Sequence, residues 1–173
     1  QQQLEANRMQ YFGHYDPTVT EDACEVIALP VKVTYDDTSI KDQKLPIALC
    51  GFHGVFKIPP ASTIAQIKKY AEYMPVIAMP HMGAEYQTAP DELRIQTYRS
   101  LIDAGADVVL GKHPHWIQTT EAYKGKLIVY SMGNFMFDQQ ANQEVTRSAA
   151  INVVMKSTAS SNRDLIPWLS FGG

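Results

Sequence analysis

The 173 residues, of which 45% are hydrophobic and 19% charged, have the composition of a folded protein and the length of a single domain, residues 1–173. The net charge of −3 excludes a nucleic-acid binder that works through a basic surface. No apolar run approaches the roughly 18 residues of a membrane helix, and the amino end lacks the regions of a signal peptide. Because the chain begins with glutamine, it is expected to be processed, trimmed or a fragment.

Short apolar segments and amphipathic segments alternate along the chain after residues 1–10, which are predicted to be helical or frayed. Residues 11–22 are predicted as loop and residues 36–44 as a polar turn. Pro30 places the first strand at a sheet edge or at a bulge. The predicted strands are residues 25–35, 46–52, 76–79, 107–110, 127–130 and 149–155.

Two helices separate the central strands. The first begins at Ser62 or Thr63, where Gln66 completes a capping box for Thr63, and it ends at Pro75. The second spans residues 91–104 and stops at Gly105. The predicted inner faces are Ile64, Ile67, Ala71 and Met74 in the first helix and Leu93, Thr97, Leu101 and Ala104 in the second.

This order of elements predicts an α/β fold, in which a sheet with parallel neighbours carries helices on its faces. Ligands of such sheets bind beyond the carboxyl ends of the strands. Three successive predicted strands end at that edge in glycine-containing polar loops, which carry His81, His113, His115 and Asn134.

The two cysteines, Cys24 and Cys50, are far apart and form no CxxC motif. This spacing supports neither a disulfide framework nor a zinc ribbon. Both are therefore predicted to be small apolar core residues.

Residues 107–115 carry two histidines, one residue apart, behind a short strand that ends at Gly111. Pro114 disfavours the α region for His113, so the pair is predicted to be extended, with both imidazoles on one side. At about 3.3 Å of rise per residue, their Cβ atoms lie about 6 to 7 Å apart. That spacing suits two neighbouring metal ions better than one, and the alternative is a strand end with two polar surface residues.

His81 follows the preceding buried strand and joins this pair. A lone histidine is usually an ordinary polar residue, but three at successive strand ends favour a metal site, because imidazole binds zinc, manganese and iron. Glu85 is predicted to orient an imidazole or to contact the substrate. A role as a fourth ligand and a solvated position are its alternatives.

Other polar residues near these strand ends are weaker candidates. Asn134 is predicted to form hydrogen bonds at the rim of the site, or else to be a turn residue. Lys112 and Asp138 have solvated surface positions as alternatives, and His14 and His53 are weaker still. A metal ion here would acidify water and polarise an oxyanion, which is the chemistry that phosphate-ester hydrolysis needs.

Three motifs resemble those of the capsule-synthesis CapA family, of the PGA_cap type: HMGAEY, LIDAGADVVLGKHPH and YSMGNF, at residues 81–86, 101–115 and 130–135. The resemblance is close over residues 52–138 and looser over residues 11–51. It implies a calcineurin-like metallophosphoesterase fold of layered sheets. It also implies a role in poly-γ-glutamate or capsule biosynthesis or export, with a metal-bound hydroxide attacking a phosphoryl group.

The same resemblance assigns roles to individual residues. His81 corresponds to the histidine of the family's HxGxE element, and His113 and His115 to those of its GxHPH element. These three are the expected catalytic and metal residues: His81 and His113 would bind one of two divalent ions of the Mn, Zn or Fe type, and His115 the other. The resemblance gives residues 130–135 no established ligand role. The expected substrate-binding residues, Glu85, Lys112 and Asn134, are inferred from their positions in the sequence instead.

Two features depart from the family pattern. Lys112 stands where members usually carry a small residue or histidine, so a cation beside the metals either weakens metal binding or favours an anionic substrate. The family's Gly-Asp and Asn-Asn-His elements, which supply a bridging aspartate and an asparagine ligand, have no counterpart in residues 1–60. The chain is therefore expected to be the carboxyl-terminal part of the domain, with about half of the metal site.

The expected partners are an anionic small molecule or polymer and other capsule-synthesis components, without nucleic acid. The resemblance implies an outward-facing position in the cell envelope, with the cytoplasm as the alternative. Two other functions stay open. One is a non-catalytic accessory domain that binds an anionic polymer through Lys112 and a structural metal, and the other is an inert fragment.

Overall fold

The computed structural model describes residues 2–13, 23–34, 37–140 and 142–154. These residues contain one six-stranded sheet and three α-helices, with a short 3-10 helix at Gln143–Thr146. The elements are α1 (Gln2–Ala6), β1 (Cys24–Thr34), β2 (Ile40–His53), α2 (Ala61–Ala71), β3 (Val76–His81), α3 (Glu92–Asp103), β4 (Val108–Leu110), β5 (Thr120–Tyr123) and β6 (Lys126–Val129).

The sheet has the strand order β1-β2-β3-β4-β6-β5. Its four central strands, β2, β3, β4 and β6, are parallel, whereas β1 and β5 pair antiparallel at the two edges. Helices α2 and α3 provide the crossovers that parallel neighbours require. The predicted α/β class is therefore confirmed, and Pro30 lies on an edge strand as expected.

The two longer helices pack on the same face of the sheet. Ile67 of α2 and Leu101 of α3 join one core cluster with Ala78 and Val109 from the strands. The opposite face has a smaller buried cluster, Leu110, Val129 and Met132, against which Ile77, Met79, Val108 and Ile151 are only half-buried. Within the described residues, one face of the sheet is thus covered much better than the other.

The helix ends and inner faces differ in part from the predictions. Helix α2 begins at Ala61 without a side-chain cap, and Thr63 is buried rather than capping. Asp91 caps α3 by accepting a hydrogen bond from the Arg94 backbone. Leu93 is 55% exposed, because α3 turns Arg94 inward instead. No helix in the described part of the chain has the length and apolar character needed to cross a membrane.

Three strand predictions are corrected. Strand β2 begins at Ile40, because residues 40–44 continue the antiparallel ladder with β1 and leave a shorter turn than predicted. Residues 118–126, predicted as a connection, contain β5, which pairs with β6. The predicted last strand does not form in residues 149–154, where the nearest pairing is an isolated bridge between Gly133 and Ser148.

Cys24 and Cys50 form a disulfide, which corrects the prediction of two reduced core residues. They lie directly opposite each other in the register between β1 and β2. The two cysteines are 26 residues apart in the sequence. The pattern of residues did not show that β1 pairs with β2 along its whole length, so it did not predict that the cysteines are neighbours. The bond ties the edge strand β1 to the strand that ends at His53.

Candidate functional site

The carboxyl ends of β2, β3 and β4 place four histidines in a row. His53 and His81 end β2 and β3 and lie in register with each other. His113 and His115 follow β4. Successive ring centroids are separated by 5.7 Å, 5.0 Å and 5.8 Å, in the order His53, His81, His113, His115. The structure thus brings the three histidines singled out in the sequence together, and it adds His53 to them.

The chain turns sharply at His113 and His115, which corrects the prediction that this pair is extended. Their φ angles are 103° and 63°, in the left-handed region that side-chain-bearing residues rarely adopt. Each such conformation costs about 1–3 kcal/mol and persists only where the surroundings enforce it. Here the Tyr86 backbone N–H donates to the Pro114 carbonyl at 2.9 Å. The two imidazoles therefore approach each other through a turn, not through strand alternation.

Glu85, His113 and His115 form a compact group of potential metal ligands. One ligand atom from each lies within 4.8 Å of the other two. His115 Nε2 is 3.3 Å from Glu85 Oε1. Two ligands of a tetrahedral ion, each at about 2.1 Å from it, are about 3.4 Å apart. The group is therefore compatible with a bound metal ion, and the fourth-ligand alternative for Glu85 gains support.

Asn134 determines which nitrogen of His115 faces this group. Its Nδ2 donates to the Val145 carbonyl at 2.8 Å, so its Oδ1 is the atom that lies 2.6 Å from His115 Nδ1. Because an amide oxygen only accepts, the Nδ1 of His115 carries the proton. In the neutral ring, Nε2 then presents a lone pair to the Glu85 carboxylate. Two acceptors at this distance need a cation between them, either a proton or a metal ion.

Two aromatic rings flank the imidazole of His115. Tyr86 and Phe137 stack against it, with centroid distances of 5.6 Å and 5.2 Å. Gln139 donates to the Tyr86 hydroxyl at 2.6 Å and accepts from Asn134 at 3.4 Å. Tyr86, Phe137 and Gln139 were missed in the sequence, because their role depends on long-range contacts such as that between Tyr86 and Gln139, which are 53 residues apart.

A buried arginine supports the loop that carries Glu85. Arg94 is 2% exposed, and its guanidinium donates to Gln118 Oε1 at 3.1 Å. Gln118 in turn donates to the Gln87 carbonyl at 2.7 Å. Gly83, with φ of 114°, lies against the guanidinium, where a side chain would collide with it. These hydrogen bonds hold the loop that carries Glu85 against α3. Periodicity in the sequence does not reveal this network.

The row of histidines keeps its central rings neutral. Burial lowers the pKa of His81 to about 4, with smaller contributions from the positive charges that His113, His53, His115 and Lys112 would carry. Burial also lowers the pKa of His113, and the Glu85 carboxylate partly opposes that shift. Neutral imidazole is the form that binds metals, so these two side chains are ready to act as ligands at neutral pH.

The remaining candidates lie at different distances from this group. Lys112 lines a pocket of about 350 Å³ together with His53 and His81, and its ammonium lies 5.8 Å from the centre of the Phe135 ring. Asp138 is exposed and accepts a hydrogen bond from Gln140. His14 lies outside the described residues.

Comparison with known proteins gives results that agree with these motifs. The sequence model of the family described as bacterial capsule synthesis protein PGA_cap matches residues 7–139. The PGA biosynthesis protein CapA of Bacillus subtilis (strain 168) is 43% identical over 76 residues, which are 44% of this chain and 20% of that protein.

Two further relatives are more distant. The capsule biosynthesis protein CapA of Bacillus anthracis is 34% identical over 92 residues, 53% of this chain and 22% of the relative. The uncharacterized protein y4sH of Sinorhizobium fredii (strain NBRC 101917 / NGR234) is 35% identical over 71 residues, 41% of this chain and 15% of the relative. The aligned regions thus span about a fifth of the length of these relatives.

Proposed function

The chain belongs to the PGA_cap family of bacterial capsule synthesis proteins, and we propose that it supplies part of a metal-dependent phosphoesterase-type site. The whole protein would act in poly-γ-glutamate or capsule biosynthesis or export, as the names of its CapA relatives suggest. The proposed substrate is an anionic small molecule or polymer that carries a phosphoryl group. Other capsule-synthesis components are proposed partners.

The observation that carries this proposal is the group formed by Glu85, His113 and His115. It combines one carboxylate with two imidazoles, a ligand set that suits Zn, Mn or Fe. A divalent ion held there would supply a Lewis acid and lower the pKa of water. Asn134 holds the His115 ring in the tautomer whose Nε2 faces Glu85. His81, beside His113, is proposed as a ligand of a second ion.

The half-covered face of the sheet supports a layered metallophosphoesterase-type domain. Ile77, Met79 and Val108 are only half-buried there, so a further layer would remove apolar surface from water. We propose that this chain is the carboxyl-terminal part of such a domain and that other residues complete the metal site. The disulfide between Cys24 and Cys50 supports an oxidising, outward-facing location, since such bonds are rare in the reducing cytosol.

Metal analysis of the purified full-length protein tests the metal site. We expect His113→Ala combined with His115→Ala to abolish stoichiometric binding, and Glu85→Gln to weaken it. Glu92→Gln is the matched control, because Glu92 is an exposed carboxylate on α3 whose side chain accepts a hydrogen bond from Gln96. Undiminished metal content in the double histidine variant would refute the proposal.

A turnover assay distinguishes the enzyme from a non-catalytic binder of an anionic polymer, which the basic pocket beside Lys112 favours. The full-length protein is incubated with Mn²⁺ and a generic phosphomonoester or phosphodiester. Hydrolysis that is lost in His81→Ala supports the enzyme. Retention of poly-γ-glutamate without hydrolysis supports the accessory domain instead.

A further inference from the structure

A pocket lies between the carboxyl ends of β2 and β3, on the side of His113 away from Glu85. Its volume is about 350 Å³, and the ammonium of Lys112 and the imidazoles of His53 and His81 line it. Phe12, Phe52 and Met79 provide apolar walls. No carboxylate is among its lining residues in the part of the chain that the structure describes. The pocket thus differs in charge from the neighbouring group that contains Glu85.

Lys112 is held at this pocket by its backbone. Its N–H donates to the Pro80 carbonyl at 2.9 Å, and its own carbonyl accepts from the Met82 N–H at 3.1 Å. Within residues 2–13, 23–34, 37–140 and 142–154, no carboxylate forms an ion pair with its ammonium. A half-buried cation without an acidic partner attracts anions more strongly than one in bulk water.

The rings of His53 and His81 lie nearly parallel, with an interplanar angle of 15° and a centroid distance of 5.7 Å. Chelation of one ion requires ring edges, not faces, to converge, so this pair is poorly arranged to share a metal. Two stacked imidazoles can instead form hydrogen bonds with separate oxygens of one anionic group.

We propose that this pocket binds an anionic oxygen group of the ligand, a phosphate or a carboxylate. Lys112 supplies the charge and His53 a hydrogen bond, beside the metal ligands. This inference deepens the proposed function by assigning a binding pocket to the anionic group of the substrate, but it does not require a metal ion. It also gives His53, which the family resemblance leaves without a role, a direct contact with the ligand.

The test uses the chain stripped of metal by a chelator, so that failure of the metal site cannot produce or abolish the signal. Inorganic phosphate and a glutamate tetramer are titrated separately at low salt, and binding is followed by NMR shifts of the Lys112 and His53 amides. We expect saturable binding of at least one anion, and the anion that binds identifies the phosphate or the carboxylate as the preferred group.

Lys112→Gln should weaken that binding at least about fivefold, because it removes a charge-assisted hydrogen bond. Lys68→Gln, which removes an exposed lysine of α2, should change the affinity by less than twofold. If Lys112→Gln perturbs the fold, His53→Gln provides the second variant, with a loss of at least about threefold expected. The inference is overturned if neither anion binds, if the pocket and control variants behave alike, or if His53→Gln instead abolishes Mn²⁺ binding.

Discussion

Replacing Asn134 with leucine tests whether this residue prepares His115 for metal binding. The change removes the oxygen that lies 2.6 Å from His115 Nδ1, so the ring loses the contact that fixes its tautomer. Loss of such a partner typically weakens metal affinity by 10- to 100-fold, which corresponds to about 1.4–2.7 kcal/mol. Asn134→Asp keeps an acceptor at Nδ1, and we expect it to bind metal within about threefold of the wild type.

The assay is competition for Zn²⁺ against a chromophoric chelator at pH 7.5, using the full-length protein. Gln140→Leu is the matched control, because it changes an exposed amide of the same loop whose side chain bonds Asp138. Equal losses in Asn134→Leu and Asn134→Asp would refute the reasoning, since only the leucine variant removes the acceptor. Unchanged affinity in Asn134→Leu would refute it as well.

Other perturbations address stability. The pKa of His81 is lowered to about 4 in the folded state. Between about pH 6.5 and pH 4, His81 is therefore protonated in the unfolded chain but neutral in the folded chain, which favours unfolding. Urea denaturation of the metal-free protein should show stability falling from pH 6.5 towards pH 4, by about 1–2 kcal/mol after allowing for the ring's exposure, and His81→Gln should flatten this profile. Changing Cys24 and Cys50 to serine should lower the free energy of unfolding by about 3 kcal/mol, and a reducing agent should then have no further effect. Gly111→Ala should cost about 2–3 kcal/mol in thermal unfolding experiments, because its Cβ would overlap the Tyr130 carbonyl.

The central sheet was predictable because its parallel strands are short, largely apolar runs, and proline or glycine separates them from the helices. Strand β5 was not predictable in this way, since the sequence TEAY becomes a strand only by pairing with β6. The inner face of α3 was missed for a related reason. Arg94 is buried because Gln118 and Asp91 bond its guanidinium, and hydrophobic periodicity carries no information about such partners.

At the site, residue type and order along the chain predicted which histidines approach each other, but not how they do so. The sequence argument relied on an extended backbone at His113, whereas the φ angle of 103° shows a turn. The contact between Asn134 and His115 depends on Val145, which lies 11 residues further on. The stacking of Tyr86 on His115 joins loops from two different strands. Long-range contacts of this kind leave no local pattern.

The backbone at the site constrains the loops that carry the candidate metal ligands. Tyr86, His113 and His115 have positive φ angles of 57°, 103° and 63°. The hydrogen bond from Tyr86 to Pro114 joins the residue after Glu85 to the residue between the two histidines. This bond links the loop of Glu85 to the loop of His115, so the proposed ion would have less chain to order on binding.

The two ends of the row of histidines differ in the charge of the side chain beside them. Glu85 lies at the end marked by His115, where it offers a carboxylate to a cation. Lys112 lines the pocket at the other end, beside His53. A phosphorylated or carboxylate-bearing ligand that spans the row would meet a metal ion at one end and an ammonium at the other. Because the two ends would bind different groups, the site would distinguish the two orientations of such a ligand. When no metal is present, variants of Lys112 should therefore weaken anion binding more than variants of Glu85 do.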